Sequence, residues 1–185
     1  MRMLLKNCLL AMVLLMGMPA YAQAPAQALP VIVGTDVPAA KTLTPLGEGT
    51  MRFFGLRVYD VQLWTAMKPF SYQDAFALEL VYHMSLKGRD IAERSVKEMR
   101  GQGYSDEAKL KRWGDEMARI FPDIAKGDTL IGVNVPDKEA RFYSRDKFIA
   151  TVPDPEFAKA FFDIWMSEKT SAPGVREKLL GTAAK

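Results

Sequence analysis

Cysteine and histidine are almost missing from this chain of 185 residues, each occurring once, as Cys8 and His83. A lone histidine without partners makes neither a metal centre nor a catalytic triad. A lone cysteine closes no disulfide within the chain. An excess of one charge sign is lacking too. The 25 basic and 22 acidic residues nearly balance, and no dense basic stripe of the kind nucleic acid requires is present. Long apolar runs are confined to one place near the start. Leu9 to Met18 is about ten residues, short of the roughly 20 that span a bilayer.

That run has a meaning of its own. Arg2 and Lys6 precede it and Ala20-Tyr21-Ala22 follows it, the layout of a secretory signal peptide cut between Ala22 and Gln23. Residues 1–22 are therefore expected to be a signal peptide, and the periplasm is the expected destination. Cys8 would leave with the signal, so thiol chemistry is excluded from the working protein. Residues 23–42 read as a lead-in, flexible over its Ala-, Gln- and Pro-rich start from Gln23 to about Leu29. Residues 43–185 are expected to be one domain with a sizeable core.

Periodicity gives the elements. Gly47-Glu48-Gly49 precedes a long run from Met51 to Thr65, read as extended structure with a kink near Gly55. Leu78, Leu80, Tyr82 and Met84 alternate with Glu79, Val81 and His83 along a strand from Ala77 to Met84. Helices are expected over Gly88 to Arg100 and from an N-cap at Ser105, the second with Leu110, Trp113, Met117, Ile120 and Phe121 on one face. Strands return at 128–135, 139–144 and 147–152, joined by short turns as consecutive hairpins. Asp154 then offers an N-cap with Pro155 at the first helical position. The helix it opens carries Phe157, Phe161, Ile164 and Trp165 on one side, and a short helix from Val175 to Leu180 stops at Gly181. Strands, a helix pair, strands and helices make an α+β domain with a mainly antiparallel sheet.

Four segments taken together, GEGTMRFFGLRVYDVQLW, LELVYHMSLKGRDIAERSVKEM, KGDTLIGVNVP and FAKAFFDIWMSEKTSAPGVREKLLG, resemble the chalcone isomerase fold family, in its bacterial, secreted, chalcone isomerase-like branch. The resemblance implies an open-faced β-sandwich, a large antiparallel sheet backed by helices with a ligand cleft between them. In the plant enzymes an arginine after the GxG turn positions a phenolate, helped by a threonine, a tyrosine, an asparagine and a final threonine. Those positions fall here on Arg52, Tyr59, Ile91, Glu98 and Val175, with Pro173 and Arg176 kept around the last. The substitutions speak against flavanone-forming chemistry, since Glu98 would repel a phenolate.

A second branch of the family holds a fatty-acid carboxylate with an arginine and a tyrosine. The resemblance offers Arg52 and Tyr59 for that task, because a guanidinium pairs bidentately with a carboxylate. Arg57 is the alternative cation if the register is shifted. Most of the affinity would come from buried methylenes, about 0.8 kcal/mol each. Trp64, Trp113 and Trp165 are better explained as core than as cavity lining. Asp90 and Glu98, about 12 Å apart along a helix, are too far apart to couple and read, with Arg89, Glu93, Arg94 and Lys97, as a solvated ion-pair ladder. The expected function is binding of a small apolar or amphipathic molecule such as a fatty acid, with no cofactor, metal, nucleic acid or further membrane span. Two alternatives stand beside it: an intramolecular lyase or isomerase acting on an enone, and an interaction protein whose cleft is filled by its own side chains.

Overall fold

Six strands, each antiparallel to the next, form one sheet in chain order. The computed structural model describes residues 28–183, so the signal peptide, its cleavage site and Cys8 lie outside the described residues. The strands are β1 (Thr44–Phe53), β2 (Leu56–Thr65), β3 (Phe76–Tyr82), β4 (Thr129–Val135), β5 (Glu139–Ser144) and β6 (Phe148–Val152). Helix α1 (Val31–Asp36) and a 3-10 turn (Pro38–Thr42) precede the sheet. Helices α2 (Gly88–Gly101) and α3 (Glu107–Ile120) separate β3 from β4, and α4 (Pro155–Met166) and α5 (Pro173–Leu180) follow β6. The architecture is α+β, an antiparallel sheet backed by helices, as the alternating and helical periods imply.

The stretch expected to be extended with a kink near Gly55 is a hairpin. Phe53 pairs with Leu56, and Phe54 and Gly55 turn the chain with φ of 47° and 82°. Positive φ at both central residues is the type I′ turn, whose twist matches that of the flanking strands. Gly55 is therefore the turn itself.

Alternation then sorts the side chains. Leu63, Phe76, Leu78, Leu80 and Phe142 point to one face and pack with α2, α3 and α4 in the main core. The opposite face carries Trp64, Ala77, Ile131, Val133 and Tyr143, and its cover comes from the segment expected to be a lead-in. Val33 and Val37, with Ala40 of the 3-10 turn, are buried there. Those apolar residues give the segment a face to bury, which is why it docks.

Gly47 and Gly49 are inside β1, on its inner face opposite Leu63 and Val61. A Cβ on Gly47 would stand 2.1 Å from the Lys178 carbonyl oxygen, and one on Gly49 would stand 3.1 Å from Val175 Cγ1. The two glycines therefore let α5 lie directly against the strand.

Helix α4 is buried nearly all round, between sheet and helices, and its ends are fixed by polar groups. Asp154 caps it as expected, accepting from the backbone N–H groups of Glu156 and Phe157. The N-cap of α3 is Asp106, one residue beyond the expected Ser105, its carboxylate accepting from Lys109 N–H at 2.9 Å. A carboxylate in the first turn also favours the positive helix end, which explains the choice. In the last turn, Asp163 accepts from Tyr72 Oη (2.6 Å), Tyr104 Oη (3.2 Å) and Lys159 Nζ (2.7 Å). Burial, and then the Asp163 charge, raise both phenols well above the ordinary tyrosine value. They remain neutral donors that tie α4 to two loops.

Candidate functional site

Between the inner face of the sheet and helices α2 and α4 lies a cavity of about 300 Å³, at the lower end of the size range of small-molecule sites. Its sheet side is Met51, Val58, Tyr59, Leu80, Tyr82 and Leu130; α2 contributes Ile91, Arg94, Ser95 and Glu98; α4 contributes Phe161, Ile164 and Trp165. The walls are overwhelmingly apolar. The exposed members of the lining, Arg52, Phe53, Met84, Asp90, Arg94 and Ser171, mark its rim.

The register of β1 and β2 decides which arginine meets this space. Met51 pairs with Tyr59, but Arg52 pairs with Arg57, so Val58 is an extra residue opposite no partner. Such a bulge reverses the alternation beyond it. Val58 and Tyr59 both line the cavity, whereas Arg57 is turned to the outer face, where it pairs with Asp60 at 2.8 Å. Arg52 stays at the rim, with its guanidinium donating to the Gly55 carbonyl at 3.2 Å.

Tyr59 forms part of the far wall. Its hydroxyl accepts from the indole N–H of Trp165 at 3.1 Å. A phenol has one proton to donate, and among the described residues none accepts it. Burial holds the Tyr59 phenol well above its ordinary value, the Trp165 hydrogen bond offsets part of this, and the nearby Glu98 charge adds to it. Tyr59 is thus a neutral donor and not a base. Its ring packs edge-on against Tyr82 (5.4 Å between centroids) and Trp165 (6.5 Å).

The cation whose side chain lines the cavity from α2 is Arg94, ion-paired with Glu98 one turn on and lying 5.6 Å over the Phe53 ring. Sequence reasoning placed both in a solvated ladder, and only their i,i+4 spacing was available as a signal. The facing direction of α2 turns Asp90, Arg94 and Glu98 to the cavity while Arg89 and Glu93 pair at the surface.

Of the five residues singled out from the sequence, Arg52, Tyr59, Ile91 and Glu98 line this one cavity. Val175 does not. It packs from α5 onto β1 at Gly49, since the close approach that the glycines permit takes α5 away from the cleft. Its neighbour Arg176 donates to the Met166 carbonyl at 2.8 Å, closing the end of α4. Trp165, assigned to the core from its spacing, is core and cavity wall at once.

No group of three or more metal-ligating side chains is found among the described residues. Among them no helix is long and apolar enough to cross a membrane.

A family model described as chalcone isomerase-like matches residues 34–181. No curated protein sequence matches the chain. The crystal structure of a fatty-acid binding protein from Arabidopsis thaliana superposes with a TM-score of 0.59 at 13% identity, over 75% of this chain and 87% of that one. At that identity the likeness is one of fold.

Proposed function

Starting from a chain that belongs to the chalcone isomerase-like family, we propose that it is a non-catalytic binder of a small amphipathic carboxylate, a fatty acid or an aromatic acid. One observation carries the reading: an apolar cavity holds two tyrosine hydroxyls, of Tyr59 and Tyr82, whose protons no described residue accepts, and a cation, Arg94, at its edge. Apolar walls supply affinity through buried methylenes. These polar groups orient one charged end. The solved fatty-acid binding protein with the same fold lends the reading support.

A lyase acting on an enone draws less support from the same geometry. Arg52, the candidate for polarising a carbonyl, is bonded to its own hairpin, and Tyr59 is held in its neutral form. Export to the periplasm remains part of the proposal, supported by the basic start, apolar run and Ala20-Tyr21-Ala22 of the chain.

Titration with a fluorescent fatty acid, followed by displacement with unlabelled palmitate, tests the binding. The reading requires saturable one-to-one uptake that an aliphatic alcohol of equal length matches less well. A protein that takes up neither, or that turns over a chalcone with loss of activity in Arg52→Ala, overturns it.

A further inference from the structure

The tip of the β1–β2 hairpin is the most apolar exposed point among the described residues. Phe54 is 91% exposed, Leu56 67% and Phe53 53%, on a turn of only two residues. Phe54 also occupies a backbone conformation, φ 47°, that asparagine or glycine takes readily and a bulky side chain resists. Among the described residues its one aromatic contact is the neighbouring Phe53 ring, 4.5 Å between centroids. The chain thus keeps a large ring where both solvation and backbone disfavour it. Strain and exposure held together at one spot point to a use there.

We propose that this hairpin tip docks the protein on an anionic phospholipid surface, with Phe54 and Leu56 entering the interfacial region. Shape favours a bilayer over a protein partner. Three side chains on a narrow convex turn fall far below the roughly 800 Å² per partner that a stable protein interface buries, whereas a bilayer accepts a projecting apolar point. Charge agrees with this. Arg52 sits at the base of the tip with no acidic partner among the described residues, held by the Gly55 carbonyl, and Arg94 flanks Phe53 from the side. Asp90 and Glu98 lie farther round the same rim, so apolar insertion carries most of the binding and the charge effect is modest.

The tip is also continuous with the cavity. Phe53 and Arg52 belong to both. Docking therefore brings the cavity mouth to the depth at which amphiphiles reside. The docking stands on the tip alone; its use for loading rests on the ligand-binding reading above.

Co-sedimentation of the full chain with vesicles of phosphatidylcholine and phosphatidylglycerol, against phosphatidylcholine alone, tests it. The wild type partitions to both and more strongly to the mixed vesicles. The double variant Phe54→Asn, Leu56→Gln, which suits the turn and replaces no residue of the cavity lining, loses about tenfold or more of that partition. Its fatty-acid uptake from free solution, measured separately, stays at the wild-type level. Wild-type protein that binds neither vesicle overturns the proposal, as does a double variant that sediments like wild type. A concentration-dependent dimer abolished by the variant, with no vesicle binding, overturns it in favour of a second copy of this chain. Loss of fatty-acid uptake in wild type with vesicle binding intact overturns the ligand reading and leaves the docking.

Discussion

Trp165 on α4 donates its indole N–H to the hydroxyl of Tyr59 on β2, 3.1 Å away across the end of the cavity. The bond ties a helix to the sheet and leaves the Tyr59 proton for a ligand. Tyr59→Phe would strand a buried donor, at a cost of about 1–3 kcal/mol. Urea denaturation reads that loss, and the variant's affinity for a fatty acid falls in the same preparation. Trp165→Phe removes the donor without stranding Tyr59, whose hydroxyl can still donate. It should weaken the fold through lost packing while keeping more of the carboxylate preference. Equal ligand loss in both variants would show that the hydroxyl has no role of its own.

The two β1 glycines make a graded test of how α5 is seated. Gly47→Ala drives a Cβ to 2.1 Å from a backbone carbonyl, which cannot move without shifting α5, whereas Gly49→Ala meets a valine methyl group at 3.1 Å. Overpacking typically costs about 1–3 kcal/mol and more where backbone must yield. Gly47→Ala is therefore expected above that range, with α5 opened to proteolysis, and Gly49→Ala within or below it. Thermal unfolding and limited proteolysis of the pair check the order.

Those glycines also show what could be read from the chain. Their pattern was visible, but the α5 residues they meet lie far along the sequence, Val175 at 126 residues from Gly49 and Lys178 at 131 from Gly47, and no local period announces them. Strands 4 to 6 and helix α4 were legible because alternation, short turns and an Asp-Pro start are local signals. The hairpin at Gly55 was not, because Phe54 hides a type I′ turn that an Asn-Gly pair would have advertised. The site was partly legible for the same reason. Tyr59 and Ile91 follow from the family resemblance, whereas Arg94 depends on the rotation of α2 about its axis and Arg57 on one bulge at Val58.

On the outer face, Asp60 accepts from Thr50 Oγ1 at 2.6 Å and Arg57 Nη2 at 2.8 Å, and lies 2.7 Å from His83 Nε2. An ionised carboxylate only accepts, which assigns the proton to Nε2. Burial alone would raise this acid, but the hydrogen bonds from Thr50, His83 and Arg57 outweigh it and draw the carboxyl from 3.8 down to about 2. A depressed folded value stabilises the fold above the unfolded value and is lost as pH falls toward the folded one. Stability should therefore decline between about pH 4 and about pH 2, and Asp60→Asn should flatten that part of the profile. Urea midpoints measured through this window decide it. An unchanged slope in the variant would assign the acid sensitivity to other carboxylates.

Glu98 competes with any anionic ligand for Arg94. The two side chains are paired at the cavity edge, with Glu98 much the more buried of the two. A carboxylate that enters must share the guanidinium with a like charge. Neutralising Glu98 as Glu98→Gln removes that repulsion and frees Arg94, so affinity for a fatty acid should rise while affinity for the alcohol of equal length stays level. Arg94→Gln should act in reverse and by more. A hydrogen bond to a charged group contributes about 1.5–3 kcal/mol, so a loss of about tenfold or greater is expected for the acid and little for the alcohol. The acid-to-alcohol ratio is the decisive readout, because both variants change the cavity's polarity and only a change in the ratio reports on charge. If the ratio is the same in wild type, Glu98→Gln and Arg94→Gln, the carboxylate end is held elsewhere, and Arg52 at the rim becomes the cation to test.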